Sequence, residues 1–495
     1  MLSVVHRVLV ALALIALTPA SALADWRRAE SPHFVVYSDG SERSLRDFTL
    51  KLERFDALLG SRFGGDQGED IRKLPVYLVG DDRALRIAQP SLPDGIAGYY
   101  SSSENDIFAI LVRGRDDDIL LHEYSHHFMA KNAGGRFPGW LSEGFAEYFA
   151  TATVSDRGKA TFGLPNPGRM YALQQNRWLP MDQLLRARGS FDVEDRTGRS
   201  MYYAQSWALT HWLLADQTRA QNLGRYLTAI NGGQDHLEAW QAVFGITPEQ
   251  LTVQLRAYVR SRLTYAELDL PPLAPSITVT TLPPAANAVL LPTINARSPN
   301  PVDVDGPALL ETLRAAAVRF PDDTLALVAL GRAETRWGDA TAAETALTRA
   351  LERQGDSVEG LLLMAEIVAG RGEVAADEAE GVRQLRLAQE FLGRAMEADP
   401  ADYRVYAALA RIRRNASGYP TENDLLTWAA AVRYAPQVMS IRGDAAIAML
   451  EAGQYEAAVA LLTPILNDPH GGPGVRQARE LLDQVEQRRA AAGPD

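Results

Sequence analysis

Leu120-Leu-His-Glu-Tyr-Ser-His-His-Phe-Met129 sets two histidines and a glutamate in an H-E-x-x-H pattern: His122, Glu123 and His126. On a helix, residues four apart share a face, so both imidazoles can reach one metal ion while Glu123 stands beside it. Zinc suits that pair. It takes neutral nitrogen ligands at ~2.0–2.1 Å, one further protein ligand, and an open position for water. Three of the chain's eight histidines fall within this stretch. Leu120, Leu121, Phe128 and Met129 flank it, which is the pattern of a site set under a core rather than of an exposed polar face.

Working outward, the preceding residues predict strands over His33–Ser38, Leu74–Val79 and Ile107–Val112, and a helix over Ser41–Leu59. Asp116-Asp117-Asp118 supplies an acidic start for the motif helix, favourable at the positive end of its dipole. Asn132–Gly135 breaks that helix, and Pro138-Gly139 opens another reading Trp140-Leu-Ser-Glu-Gly-Phe-Ala-Glu-Tyr148. Glu143 and Glu147 lie four apart on one face of it, so they compete for the third ligand position. Ser200–Asp216 reads as a further apolar helix, and Thr247-Pro-Glu-Gln250 as a capping box leading a helix to about Leu263.

H-E-x-x-H followed by W-L-x-E-G-F-A resembles the gluzincin zinc peptidases, the superfamily of thermolysin and the zinc aminopeptidases. The resemblance implies one zinc per chain held by His122, His126 and Glu143, with Glu123 as general base and Glu147 as an acceptor orienting a ligand histidine. The interval from His126 to Glu143 is shorter than in the best-known members, implying a tightened loop around Gly134-Gly135. Tyr202-Tyr203-Ala-Gln-Ser-Trp207 resembles the downstream tyrosine segment of zinc aminopeptidases. There a phenol donates to a developing oxyanion; Tyr203 is the choice by position, Tyr202 stands next to it, and an aromatic merely packed on the core is the plain alternative. His127 points off the metal face, and His211 reads as a core or surface histidine. Ser103-Glu104-Asn105 lacks the glycine and methionine of the aminopeptidase substrate clamp, so the resemblance does not extend to aminopeptidase specificity.

The two ends of the chain have a different character. Arg7, the apolar run Val8–Leu17 and the small-x-small Ala22-Leu23-Ala24 read as a secretory signal peptide over 1–24, cleaved after about Ala24. No later apolar run is long enough to span a bilayer, and there is no cysteine, so a periplasmic or secreted bacterial setting is expected. A net charge of −12 and a pI near 5.3 argue against nucleic-acid binding, which needs a basic face. Eight prolines between Pro271 and Pro301 mark a linker, bounded at 267–303. Beyond it, turn marks at Phe320-Pro321, Gly355-Asp356, Asp399-Pro400, Ala435-Pro436 and Asp468-Pro469 recur, several near 34 residues apart. Trp337-Gly338-Asp339 and Ala452-Gly453-Gln454 sit between paired helices. The pattern resembles the tetratricopeptide repeat, with four to five units.

The expectation is therefore an α+β gluzincin-like domain over 25–266 followed by an all-α tetratricopeptide-repeat solenoid over 304–492. It looks closest to compact peptidase-MA-like bacterial proteins. The expected function is zinc-dependent hydrolysis of a peptide or protein substrate, with the repeats binding substrate or a protein partner. The alternative is a non-catalytic scaffold in which the repeats act and the zinc domain is structural or degenerate.

Overall fold

The computed structural model describes residues 25–64, 72–92, 96–114, 117–133, 137–299, 304–466 and 473–492. The expected signal segment, Asp116 and the loop at Gly134-Gly135 lie outside the described residues.

Nine strands form in chain order: β1 (Arg27–Glu30), β2 (Phe34–Ser38), β3 (Leu74–Val79), β4 (Gly98–Ser102), β5 (Ile107–Val112), β6 (Thr153–Val154), β7 (Lys159–Phe162), β8 (Ala266–Asp269) and β9 (Thr278–Thr281) among the described residues. Six make one sheet in the order β4-β5-β3-β2-β1-β9. Strands β2, β3 and β5 run parallel, while β4, β1 and β9 are antiparallel to their neighbours. Alternate residues of β3 and β5 serve two cores. Val76, Leu78, Ile107, Ala109 and Leu111 face Leu45, Leu52 and Phe55 of helix α1 (Glu42–Phe63). Tyr77, Val79, Phe108, Ile110 and Val112 face Leu85 and Ala88 of α2 (Asp82–Ala88) and Leu291 and Ile294 farther along the chain. Both strands read as continuous apolar runs because both faces of the sheet are covered.

The motif helix α3 (Asp117–Ala133) packs along β4, the edge strand of the sheet, and turns into α4 (Gly139–Ala150). Then come α5 (Pro167–Gln175), α6 (Met181–Arg186) and α7 (Arg196–Leu214), followed by α8 (Gln217–Asn231), α9 (His236–Phe244) and α10 (Pro248–Val259). Thr247 and Gln250 cap α10 reciprocally. Helix α4 lies against α7 at close range, and Gly144 makes that possible. A Cβ there would fall 2.1 Å from Thr210 Oγ1 and 2.3 Å from the Ser206 carbonyl oxygen. Gly144→Ala should therefore destabilise the fold by at least ~1–3 kcal/mol, the usual cost of overpacking. A thermal melt unchanged from that of the parent chain would contradict this account.

Within the proline-rich segment 267–303, expected as an extended linker, the described residues 267–299 form strands and a helix. Residues 266–269 pair with β7 to extend a small second sheet, and Thr278-Val-Thr-Thr281 pairs antiparallel with β1, Arg27 opposite Thr281. The next helix, α11 (Ala286–Ala296), buries Ala286, Val289, Leu291 and Ile294. The prolines punctuate these elements rather than replace them: Pro283-Pro284 stops the strand just before α11.

The remaining chain is helical: α12 (Gly306–Arg319), α13 (Thr324–Trp337), α14 (Ala340–Arg353), α15 (Val358–Glu373), α16 (Glu378–Ala398), α17 (Tyr403–Arg413), α18 (Glu422–Tyr434), α19 (Met439–Glu451), α20 (Tyr455–Leu466) and α21 (Pro473–Ala492). Among the described residues of this region, the most extensive helix pairings are α13 with α14, α15 with α16, α17 with α18, and α19 with α20, which makes four hairpins flanked by a helix at each end.

The hairpins do not hang free of the sheet. Tyr403, Trp428 and Ile441 belong to the same buried cluster as Tyr124 and Phe128 of α3. The turn joining β4 to β5 is gripped by α17: Tyr403 donates its phenol hydrogen to the Ser103 carbonyl at 2.6 Å, and Arg411 pairs with Glu104 at 2.6 Å. Below it, Asp106 takes Arg72 at 2.7 Å and Arg297 at 2.6 Å, while Glu359 takes Arg404 at 2.8 Å together with Arg332. Burial alone would raise the Asp106 carboxyl, but the guanidinium groups of Arg297 and Arg72 hold it below its ordinary value. Ser103-Glu104-Asn105 is thus a docking turn for the repeats.

Candidate metal centre

The helical spacing of His122 and His126 brings their Nε2 atoms to 3.1 Å. Helix α4 crosses so that one oxygen of Glu143, Oε2, stands 3.4 Å from both. These three residues are the one group of metal-ligating side chains, among the described residues, that converges closely enough to hold an ion. Glu143 is 1% exposed, and neither of its carboxylate oxygens makes a well-directed hydrogen bond. A buried carboxylate in that condition is costly unless a cation meets it.

The far sides of the two imidazoles are also held. Glu147 Oε1 lies 3.3 Å from His122 Nδ1, and Ser142 Oγ lies 3.2 Å from His126 Nδ1. A carboxylate can only accept, so Glu147 is placed to take a proton from Nδ1 of His122, while Nε2 faces Glu143. Burial pushes the His122 imidazole down, but Glu143 and Glu147 outweigh it and lift the group to about 10. Glu143 itself lies well below the ordinary carboxylate range: burial would raise it, and the imidazoles of His126 and His122 pull it down further. Two carboxylates around two imidazoles make a pocket that demands positive charge. The residues present fit zinc in donor type, in number and in the groups behind them.

Glu147 is turned the other way. Arg169 donates to it through Nε at 2.8 Å and Nη2 at 2.5 Å, a bidentate clamp that keeps it behind His122. Glu123 is half-buried and lines a cleft of about 340 Å³ with His122, Glu147, Arg169 and Tyr203. Tyr203 has its ring 6.4 Å from that of His122 and its phenol 3.3 Å from Ser190 Oγ, whereas Tyr202 is fully buried beside Gly139 and does not line the cleft. A larger cleft of about 810 Å³ lies between the sheet, α11 and the repeats, where acids such as Asp106 and Glu359 are matched by Arg72, Arg297 and Arg404.

His127 faces away from the metal position. It is buried with its Nδ1 3.0 Å from the Tyr100 phenol and 3.4 Å from Gln437 Nε2 of the repeats. His211 is a core histidine, its ring nitrogens on the Tyr258 phenol at 2.6 Å and the Gly163 carbonyl at 2.9 Å. Arg169, Ser142 and Ser190 are the participants that motif reasoning missed. Ser142 sits at the variable position of W-L-x-E-G-F-A, which carries no signal of its own. Arg169 arrives from beyond the β6–β7 hairpin, with no fixed spacing to the metal residues.

A family model described as a protein of unknown function (DUF1570) matches residues 119–231, which run from within α3 to the end of α8. No curated protein matches the chain. Among solved structures, it is similar to a thermophilic TPR protein of Thermus thermophilus, with 18% identity over 37% of this chain and 91% of that one, at a TM-score of 0.31. It is also similar to MamA, with 13% identity over 38% and 92% of the two chains, at a TM-score of 0.26. Among the described residues no helix is long and apolar enough to cross a membrane.

Proposed function

We propose that this chain is a zinc-dependent peptidase of the gluzincin type, acting in the periplasm or outside the cell, whose repeats bind a protein partner or substrate. The observation that carries the reading is the buried Glu143 carboxylate, without a well-directed hydrogen bond and aimed between two imidazoles whose outer nitrogens are already held. His122, His126 and Glu143 would hold the ion. Bound there, zinc supplies a Lewis acid for a carbonyl and lowers the pKa of coordinated water toward ~7.

The chain's own groups do the rest. Glu123, beside His122 at the cleft, accepts the proton of the attacking water and returns it to the leaving amine. Tyr203 offers a neutral phenol to the carbonyl oxygen as it gains charge. Burial raises that phenol to about 12, so it keeps its proton at neutral pH. Elemental analysis of the full chain should give one zinc, and cleavage of unfolded casein should stop on chelation and return with added zinc. A chain that takes up no zinc would overturn the reading.

A second reading is a scaffold in which the repeats act. It is favoured by the helical hairpins and by the packing of Tyr403, Trp428 and Ile441 in one buried cluster with Tyr124 and Phe128 of α3. One zinc per chain with no cleavage of casein or of a varied peptide library would select it.

A further inference from the structure

Glu147 lies one turn beyond Glu143 on α4 and meets His122 from behind, its Oε1 3.3 Å from Nδ1 while Nε2 faces Glu143. A single side chain from another element holds it there. Arg169, on α5, meets Glu147 with two nitrogens of its planar fork, at 2.8 and 2.5 Å. The same guanidinium carbon sits 5.1 Å over the ring of Tyr203. One cation therefore fixes both the carboxylate behind His122 and the phenol at the cleft.

We infer that Arg169 is a positioning residue: through Glu147 it holds the His122 ring so that Nε2 faces the ion. This rests on the metal-site reading of His122, His126 and Glu143. The chemistry calls for arginine. A lysine would keep the charge but make one contact where the fork makes two in fixed geometry, and it would stack less well on the phenol ring. Removing the fork frees Glu147 to rotate about its side-chain torsions and leaves Nδ1 of His122 without a fixed acceptor. Groups behind metal ligands in this way are worth roughly 10–100-fold in metal affinity.

Zinc titration calorimetry on the full chain tests this with a readout separate from catalysis. Arg169→Met should weaken zinc roughly 10–100-fold, Arg169→Lys should recover part of the loss, and Glu147→Gln should weaken zinc to a similar degree. The decisive arm is the double variant Arg169→Met/Glu147→Gln. If Arg169 acts through Glu147, its removal adds no more than about twofold to the loss from Glu147→Gln alone. Fully additive losses, or an Arg169→Met chain that binds zinc like the parent, overturn the inference. Should Arg169→Met fail to fold, the comparison of Arg169→Lys in the two backgrounds decides in the same way. A parent chain that binds no zinc overturns the metal-site reading as well, whereas zinc binding indifferent to Arg169 overturns this inference alone.

Discussion

Glu143→Gln is expected to lower zinc affinity by more than roughly 100-fold, beyond the 10–100-fold typical of groups that only support a ligand. The substitution keeps the side chain's shape inside a site that is 1% exposed, so α4 should stay packed on α7 and circular dichroism should be unchanged. What it removes is the one buried negative charge that both Nε2 atoms face at 3.4 Å. Glu147→Gln removes a carboxylate already matched by Arg169, and should cost less. Isothermal titration with both variants ranks the two glutamates directly. If Glu143→Gln binds zinc like the parent while Glu147→Gln does not, the ligand assignment is reversed.

The second large effect is on turnover. Glu123→Gln should retain one zinc per chain, because Glu123 is not among the three converging ligand groups. It should nevertheless lose roughly 10²–10⁴-fold in kcat, the contribution of a positioned proton acceptor. Glutamine fills the same volume in the cleft wall but cannot take a proton from water. Steady-state hydrolysis of casein-derived peptides, paired with elemental analysis, separates the two quantities. Unchanged hydrolysis with zinc in place would remove Glu123 from the chemistry.

The metal motif was legible because its geometry is local: helical periodicity alone puts His122 and His126 together. The choice between Glu143 and Glu147 was not local. Both lie on one face of one helix, and only the crossing of α4 over α3, backed by α7 at Gly144, decides which carboxylate meets the imidazoles. Arg169 was illegible for the same reason. The strands β2, β3 and β5 were readable from apolar runs and β-formers, whereas β4, Gly-Tyr-Tyr-Ser-Ser, carries little apolar pattern and is held by its pairing with β5. The proline-rich stretch misled because composition reports average flexibility, while Thr278–Thr281 needs only four residues and a distant partner to become a strand.

That distant partner has a consequence for how the molecule comes into being. Strand β1 stands near the start of the described chain, and its outer neighbour β9 follows α10, so synthesis delivers the metal helix long before the sheet that carries it can close. Closing so long a loop costs entropy that is recovered only when the last strand docks. Until then the Arg27–Glu30 edge presents unpaired backbone to any strand that finds it. The nascent chain thus passes through a stage in which it carries His122, His126 and Glu143 but not its finished sheet, and a stop after residue 266 would hold it there.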